Sequence, residues 1–486
     1  MRAFPSFPLN PTTITHFLTK LQSILQMHMN WQNCISDQRT GSSSKKIDEA
    51  YRHNYQRDFD RLIFSSAFRR LQGKTQVFPL PGNTFVHNRL THSLETSSVG
   101  RSLGEIVGNH IAEHVEDLSA GDREFYKYQL KSVIASACLA HDVGNPAFGH
   151  SGEAAISNYF QKFADEIVEG KKLRDHCTAE EWEDLINFEG NANAIRILSR
   201  QYEGKSKGGL RLTYTTLASL LKYPCASNET NKKYKHRKKY GFFRSDQGVY
   251  REIVANTNMI KDGNAENCYH RHPFVYLTEA ADDICYLVID MEDAHRINIL
   301  NRVEVEEALL MIISEVKGEQ EGQNLREYCD KIGDDNEAVS FLRAMTINTL
   351  VNRAAKIFIE HMDVILTGKF TSTLIDIISK DCPSIDAVIQ LSVDKIYNHE
   401  SVVEIEIAGY NVMSELLQMY VPTVLKSDRG TYEKKVLRLM PAQYNPDNAV
   451  SSYEKIMLVL DHISGMTDGY ATELYRKVKG IEISQH

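Results

Sequence analysis

With 486 residues, 42% hydrophobic and 25% charged side chains, the chain has the make-up of a globular protein of one large domain or about two to four ordinary ones. A formal charge of −8 argues against a wholesale nucleic-acid binder and leaves room only for local basic patches. Eight cysteines, at 34, 138, 177, 225, 268, 285, 329 and 382, form no CxxC pair; this suits reduced thiols in a cytoplasm and speaks against a zinc ribbon or a disulfide framework.

No stretch approaches the ~18 apolar residues of a membrane span. Residues 1–28 carry few charges but lack the continuous apolar run of a signal peptide, and "MHMNWQN" offers a second start at Met29. Residues 1–28 therefore read as an upstream extension, either appended or packed loosely if at all. Helical periodicity then dominates, and the expected class is mainly α. In "THSLETSSVGRSLGEIVGNHI", His92, Val99, Leu103 and Ile106 form one helical stripe. In "YQLKSVIASACLAHD", Leu130, Ile134, Ala137, Cys138 and His141 share a face, and a Gly-Asn-Pro break separates this helix from His150. Residues 224–249, with "NKKYKHRKKYGFF", read as a basic and aromatic excursion. "VYLTEAADDICYLVIDMEDAH" is a third strong helix, with Asp282, Tyr286 and Asp290 at successive turns. Polar, Gly-containing residues 314–338 read as a connector before C-terminal helices, with a soft boundary near 330. "SVVEIEI" (401–407) alternates partially, as a short strand would.

Each of the three helices carries a nitrogen or oxygen donor on a stripe that otherwise looks buried. A single histidine on such a face is commonly a satisfied core residue, and His141 at a helix end also suits the negative pole of the helix dipole. Three such helices, with His141 and Asp142 adjacent, point elsewhere. Buried imidazoles and carboxylates cost several kcal/mol unless they answer one another or a metal. Two of each would suit a divalent transition metal such as Mn, Fe, Co or Zn.

The pattern His92…His141-Asp142…Asp282 resembles the H…HD…D signature of HD-domain phosphohydrolases. The words "FRRLQGKTQVF" (68–78), "NRLTHSLE" (88–95), "AHDVGNPAFGHSGE" (140–153), "FEGNA" (188–192), "LLKYP" (220–224), "EAADDICY" (279–286) and "DHISGMTD" (461–468) follow in order. Together they resemble the bacterial deoxyguanosine-triphosphate triphosphohydrolases over about residues 29–475. The resemblance implies an HD-domain helical core over 29–330, with the excursion 224–249 inside it, and additional helices over 331–486 that complete a nucleotide pocket. It implies hydrolysis of dGTP to deoxyguanosine and tripolyphosphate with a divalent cation, Mn²⁺, Mg²⁺ or another transition metal, on His92, His141, Asp142 and Asp282.

By the same resemblance His150 is the catalytic histidine, donating a proton to the departing 5′-oxygen, and Glu153 orients it. Animal-type relatives carry histidine at the place of Asn145; asparagine transfers no proton, which leaves that role to His150. Arg89, one turn before His92, Lys222 and Tyr223 match triphosphate contacts, Asn191 a further polar contact, and Arg438 a weaker phosphate candidate. Gln76, Val77, Tyr286 and Asp290 match the sugar pocket, where a 2′-hydroxyl would clash, and Tyr397 and Glu406 the base pocket. The resemblance further implies a cytoplasmic homo-oligomer, a hexamer, with single-stranded DNA as an effector. Two rivals stay open: a broader dNTP triphosphohydrolase or other HD nucleotide phosphohydrolase, and a single-stranded nucleic-acid-binding protein with a vestigial HD site, using the run 232–243.

Overall fold

The computed structural model describes residues 29–41, 53–78, 86–201 and 207–481; the extension expected over 1–28 lies outside them. The chain is mainly α, as expected. Its principal helices are α1 (Asn54–Ile63), α2 (Arg89–His114), α3 (Leu130–Ala140), α4 (Gly149–Lys162), α5 (Gly190–Ser199), α6 (Val275–Arg296), α7 (Arg302–Lys317), α8 (Asp335–Glu360), α9 (Glu400–Leu425) and α10 (Ser452–Ser464). Among the described residues the only sheet is a two-stranded antiparallel one, β1 (Ile167–Val168) with β2 (Lys171–Lys172). No described helix is long and apolar enough to cross a membrane.

The centre is the packing of α2 on α3, and the sequence of α2 explains it. Gly100, Gly104 and Gly108 fall one turn apart on its buried face. A Cβ at Gly100 would lie 2.4 Å from Cys138 Sγ, and one at Gly108 would lie 2.2 Å from the Tyr126 carbonyl oxygen. Only glycine permits this approach. α6 lies against both helices, with α8 behind α2 and α6. The large apolar cluster they form, with Leu103, Ile134, Ile284, Val288, Leu342 and Leu350 fully buried, draws on residues either side of 330. A second cluster joins α4, α9 and α10 through Ile156, Leu416, Tyr420 and Ile456.

Two sequence expectations fail locally. Residues 401–407 are not a strand but the start of α9. Val402, Gly409, Val412, Met413 and Leu416 are among its buried positions, so a helical period over a long window overrides a brief β-branched alternation. The connector expected over 314–338 is largely helical: α7 runs to Lys317, a further helix spans Glu319–Cys329, and α8 begins at Asp335. Its polarity marks a solvated face. In the excursion 224–249, Tyr240, Phe242 and Phe243 are buried, so these rings are core and offer nucleic acid no stacking surface.

Candidate active site

Helix α2 starts at a capping box: the Asn88 side chain accepts from the Leu90 and Thr91 N–H groups, and Thr91 Oγ1 accepts from the Asn88 N–H. That start places Arg89 and His92 in the first turn, both buried. Helix α3 ends at His141, whose Nδ1 faces the Cys138 carbonyl oxygen at 2.5 Å. With Nδ1–H committed to the backbone, Nε2 keeps its lone pair for the site. His92 Nε2 and His141 Nε2 lie 3.1 Å and 3.3 Å from Asp282 Oδ1, supplied by α6, and the two rings pack edge to face at 5.2 Å. The donor atoms of His92, His141 and Asp282 all lie within 4.8 Å of one another. Asp142 flanks them, its Oδ1 3.6 Å from His141 Nε2 and its Oδ2 accepting from Arg89 at 2.9 Å, with Asn145 donating to Oδ1.

The electrostatics suit a cation. Burial opposes a charged His141, but Asp142 and Asp282 outweigh it and raise its pKa to about 9. Burial likewise opposes ionisation of Asp282, and His141 and His92 overcome it, holding the carboxyl well below its usual range. The carboxylates thus remain charged in a buried place and draw positive charge to themselves. Neutral imidazoles and ionised carboxylates around a divalent ion satisfy the same demand. The donor set fits.

Beside the cluster a cavity of about 270 Å³ is lined by Arg89, His141, Asp142, Asn145, His150, Glu153, Asn191, Lys222, Tyr223 and Asp282, among others. A second, of about 250 Å³, is lined by Thr75, Gln76, Val77, Arg89, Phe148, Gly149, His150, Tyr286, Tyr397, Val402, Ile405 and Glu406. Gln76, Arg89, His150 and Tyr286 border both, so the two chambers share a wall. In that wall the His150 side chain is 79% exposed, while its Nδ1 sits 2.8 Å from Glu153 Oε2. The other Glu153 oxygen accepts from the Gly190 N–H at the start of α5, 2.7 Å away. Anchored at both ends, Glu153 fixes the imidazole and raises its pKa by hydrogen bonding.

The first chamber holds the cations. Arg89 keeps Nε without a hydrogen-bond partner although the residue is only 6% exposed. Lys222 Nζ lies 3.4 Å from Glu279; burial opposes its charge, and Glu279 more than restores it. Asn191 donates to Glu189 Oε1 at 2.6 Å. In the second chamber the rings of Tyr286 and Tyr397 stack at 5.7 Å, and Tyr397 donates to Asp290 Oδ2 at 2.7 Å. Asp290 itself lines neither chamber; burial raises its pKa to about 8. Gln76 Oε1 is buried and unpartnered. Glu406 is exposed along the chamber side of α9. Arg438, at the end of a short helix, Thr431–Leu437, is exposed and borders neither chamber, so the structure does not bring it to the expected phosphate contacts.

Three residues with supporting roles escaped sequence reasoning. Lys239, from the basic excursion, lines the first chamber and pairs with Glu189 at 2.9 Å. Buried Lys74 bonds the carbonyl oxygens of Asn145 and Ser464. Asp468 accepts from the backbone of Thr75 at 2.8 Å and of Phe148 at 2.9 Å, tying the segment that bears Gln76 to the turn that bears His150. That turn needs glycine: Gly149 has φ +56°, and a Cβ there would lie 2.4 Å from an Arg89 guanidinium nitrogen. "KTQ" and "SGMTD" were legible as words, but their contact across the fold was not.

Comparison with known proteins agrees with this geometry. Residues 89–232 match the HD domain and residues 384–477 match the phosphohydrolase-associated domain. The chain is 36% identical to the deoxyguanosinetriphosphate triphosphohydrolase-like protein of Synechocystis sp., covering 94% of this chain and 100% of the relative. It is 34% identical to the protein of that name from Listeria monocytogenes, over 93% of this chain and 100% of the relative. Against the deoxyguanosinetriphosphate triphosphohydrolase of Yersinia pestis the identity is 29%, over 93% and 99%. With such identity along nearly the whole of both chains, the protein belongs to the deoxyguanosinetriphosphate triphosphohydrolase-like family of HD-domain hydrolases.

Proposed function

We propose that the protein hydrolyses deoxynucleoside triphosphates, dGTP foremost, to the deoxynucleoside and tripolyphosphate. The observation that carries this reading is the shared wall: a cationic chamber and an aromatic one meet at His150. A triphosphate in the first and a nucleoside in the second put the bond between the α-phosphorus and the 5′-oxygen at that wall. The β–γ bond, which a phosphatase would cut, falls deeper in the cationic chamber.

His92, His141, Asp142 and Asp282 would hold a divalent cation, which supplies Lewis-acid polarisation of the α-phosphate and activation of water. Arg89, Lys222 and Lys239 neutralise phosphate oxygens, and the free Arg89 Nε is a donor in want of one. Water oxygen bonds to the α-phosphorus as the bond to the 5′-oxygen breaks. His150 Nε2 gives its proton to that oxygen, so the products are the nucleoside and intact tripolyphosphate. Gln76 Oε1 is positioned to accept from a sugar hydroxyl, and Tyr286 to lie on the sugar face. Glu406 can accept both N1–H and N2–H₂ of guanine, a pair that adenine lacks.

The test is incubation of purified protein with each dNTP and Mn²⁺ or Mg²⁺, separating nucleoside plus tripolyphosphate from nucleotide products. Deoxyguanosine and tripolyphosphate in equal amounts are expected. Release of dGDP with phosphate, or of dGMP with pyrophosphate, would sink the assignment.

A further inference from the structure

Away from both chambers, a second group of metal-capable side chains meets behind the cationic wall. His236 Nε2, Asp262 Oδ2 and Cys268 Sγ all lie within 4.8 Å of one another, the same closeness as the donors from α2, α3 and α6. Asp262 Oδ2 is 3.1 Å from His236 Nε2 and 3.9 Å from Cys268 Sγ. Its other oxygen accepts both the backbone and side-chain N–H of Asn264 at 2.9 Å, which aims Oδ2 at the group. Cys225, outside that group of three, is the bridge partner of Cys268 in an isolated antiparallel pair; its thiol interacts with the Cys268 thiol, and both residues are fully buried. Cys225 Sγ contacts the Lys239 carbonyl oxygen at 3.2 Å and Cys268 Sγ that of Tyr269 at 3.7 Å. Arg237 approaches Asp262 Oδ2 at 3.5 Å, and the His270 ring packs 5.2 Å from that of His236.

We propose that Cys225, His236, Asp262 and Cys268 form a second metal site, holding one divalent ion of the zinc class as a structural staple. Two sulfurs, an imidazole and a carboxylate are the soft-to-borderline donor set of a closed four-coordinate zinc site. Charge supports it. Two thiolates and one carboxylate carry three negative charges, which a divalent ion and the Arg237 guanidinium together neutralise, as a buried site requires. Position gives it a task. Cys225 follows Lys222 by three residues, His236 precedes Lys239 by three, and Cys268 precedes Arg271 by three. Arg271 in turn bonds the Lys222 carbonyl oxygen at 3.0 Å and Glu279 at 2.9 Å. One ion would therefore clamp the two segments that present Lys222 and Lys239 to the chamber and the one whose Arg271 braces Lys222, in a loop region with little regular structure to hold them.

The test uses reduced, full-length protein titrated with Co²⁺ and followed by absorption. The site on α2, α3 and α6 has no sulfur donor, so sulfur-to-cobalt charge transfer reports the second site alone. The band should saturate once two equivalents of Co²⁺ per chain have bound, and after one in Asp282→Asn, and Zn²⁺ should bleach it. Asp282→Asn should keep the band, whereas Cys268→Ser and Cys225→Ser should each weaken it by about half or more, and the double variant Cys225→Ser/Cys268→Ser should lose it. His236→Gln, in a part-exposed turn that keeps both sulfurs, should weaken Co²⁺ binding at least about tenfold. The proposal is overturned if the wild-type protein gives no band, if the band is undiminished in Cys268→Ser or survives in the double variant, or if His236→Gln binds Co²⁺ unchanged. It is equally overturned if unreduced protein is two hydrogens lighter with a Cys225–Cys268 linked peptide, since the pair is then a disulfide.

Discussion

The two chambers that meet at His150 are built by different means. Around the first, buried and half-buried side chains are held in charged pairs: Arg89 with Asp142, Lys222 with Glu279, Lys239 with Glu189. They come from helices packed in the centre of the molecule and from segments tied to it. Around the second, the rings of Tyr286 and Tyr397 pack on each other, while Glu406 stands exposed on α9. A chamber locked by charged pairs fixes reacting atoms and aims charge at them. A chamber with an open side chooses among ligands by a few contacts of modest energy. Changes in the first should therefore destroy turnover, and changes in the second should redirect it.

The sharpest break of that contrast is at the metal-capable donors. His92→Ala and Asp142→Ala should each remove activity and divalent-ion retention together, since each would supply one of the ion's four donors. In Asp142→Ala the loss should be compounded, because Arg89 forfeits its partner while buried. Metal analysis beside turnover measures both; full metal content in either variant would remove that residue from the ligand set.

Next in size is the wall itself. His150→Ala should retain metal and bind dGTP nearly as before, yet lower kcat by about 10²–10⁴-fold. A substrate with a better leaving group at the 5′ position should recover a disproportionate share. Glu153→Gln gives a signed version of the same idea. His150 must be protonated to act as an acid, and its pKa is raised above the ordinary value by Glu153. Activity is then present below that raised pKa and lost as pH climbs through it. Removing the carboxylate lowers the pKa, so the alkaline limb of the kcat profile should move to lower pH. A profile that stays in place would take the proton-donor role from His150.

The same contrast explains what was readable in the sequence. His92 and Asp282 sit on helices, and His141 and Asp142 at the end of another, where a stripe can be read locally and a donor on it stands out. The glycines of α2 were visible as residues, but the close approach they permit depends on α3. Residues 401–407 misled because seven residues cannot distinguish a strand from one edge of α9. Lys239 looked like part of a solvated charge run; its value comes from where the buried Tyr240, Phe242 and Phe243 anchor that run. Cys225 and Cys268 are far apart in sequence, and no spacing rule pairs them. Pairings made across the fold are the part that sequence reading cannot supply.

The smallest effect, and the one that most directly separates the chambers, belongs to Glu406. Guanine presents N1–H and N2–H₂ side by side, and one carboxylate accepts both. Adenine presents an N1 lone pair to the same carboxylate, so acceptor meets acceptor. Glu406→Gln replaces one oxygen with a donor, which weakens the guanine pair and removes the clash with adenine. Because Glu406 is exposed, water screens both terms, and the change in discrimination should be on the order of 1–2 kcal/mol, about tenfold in the dGTP to dATP ratio of kcat/KM. Turnover of saturating dGTP should hardly change, because the carboxylate lies in the other chamber from the metal-capable donors. The measurement is kcat/KM for both substrates in both proteins. A ratio that does not move takes Glu406 out of base selection, and a collapse of kcat would mean that the two chambers are not separable.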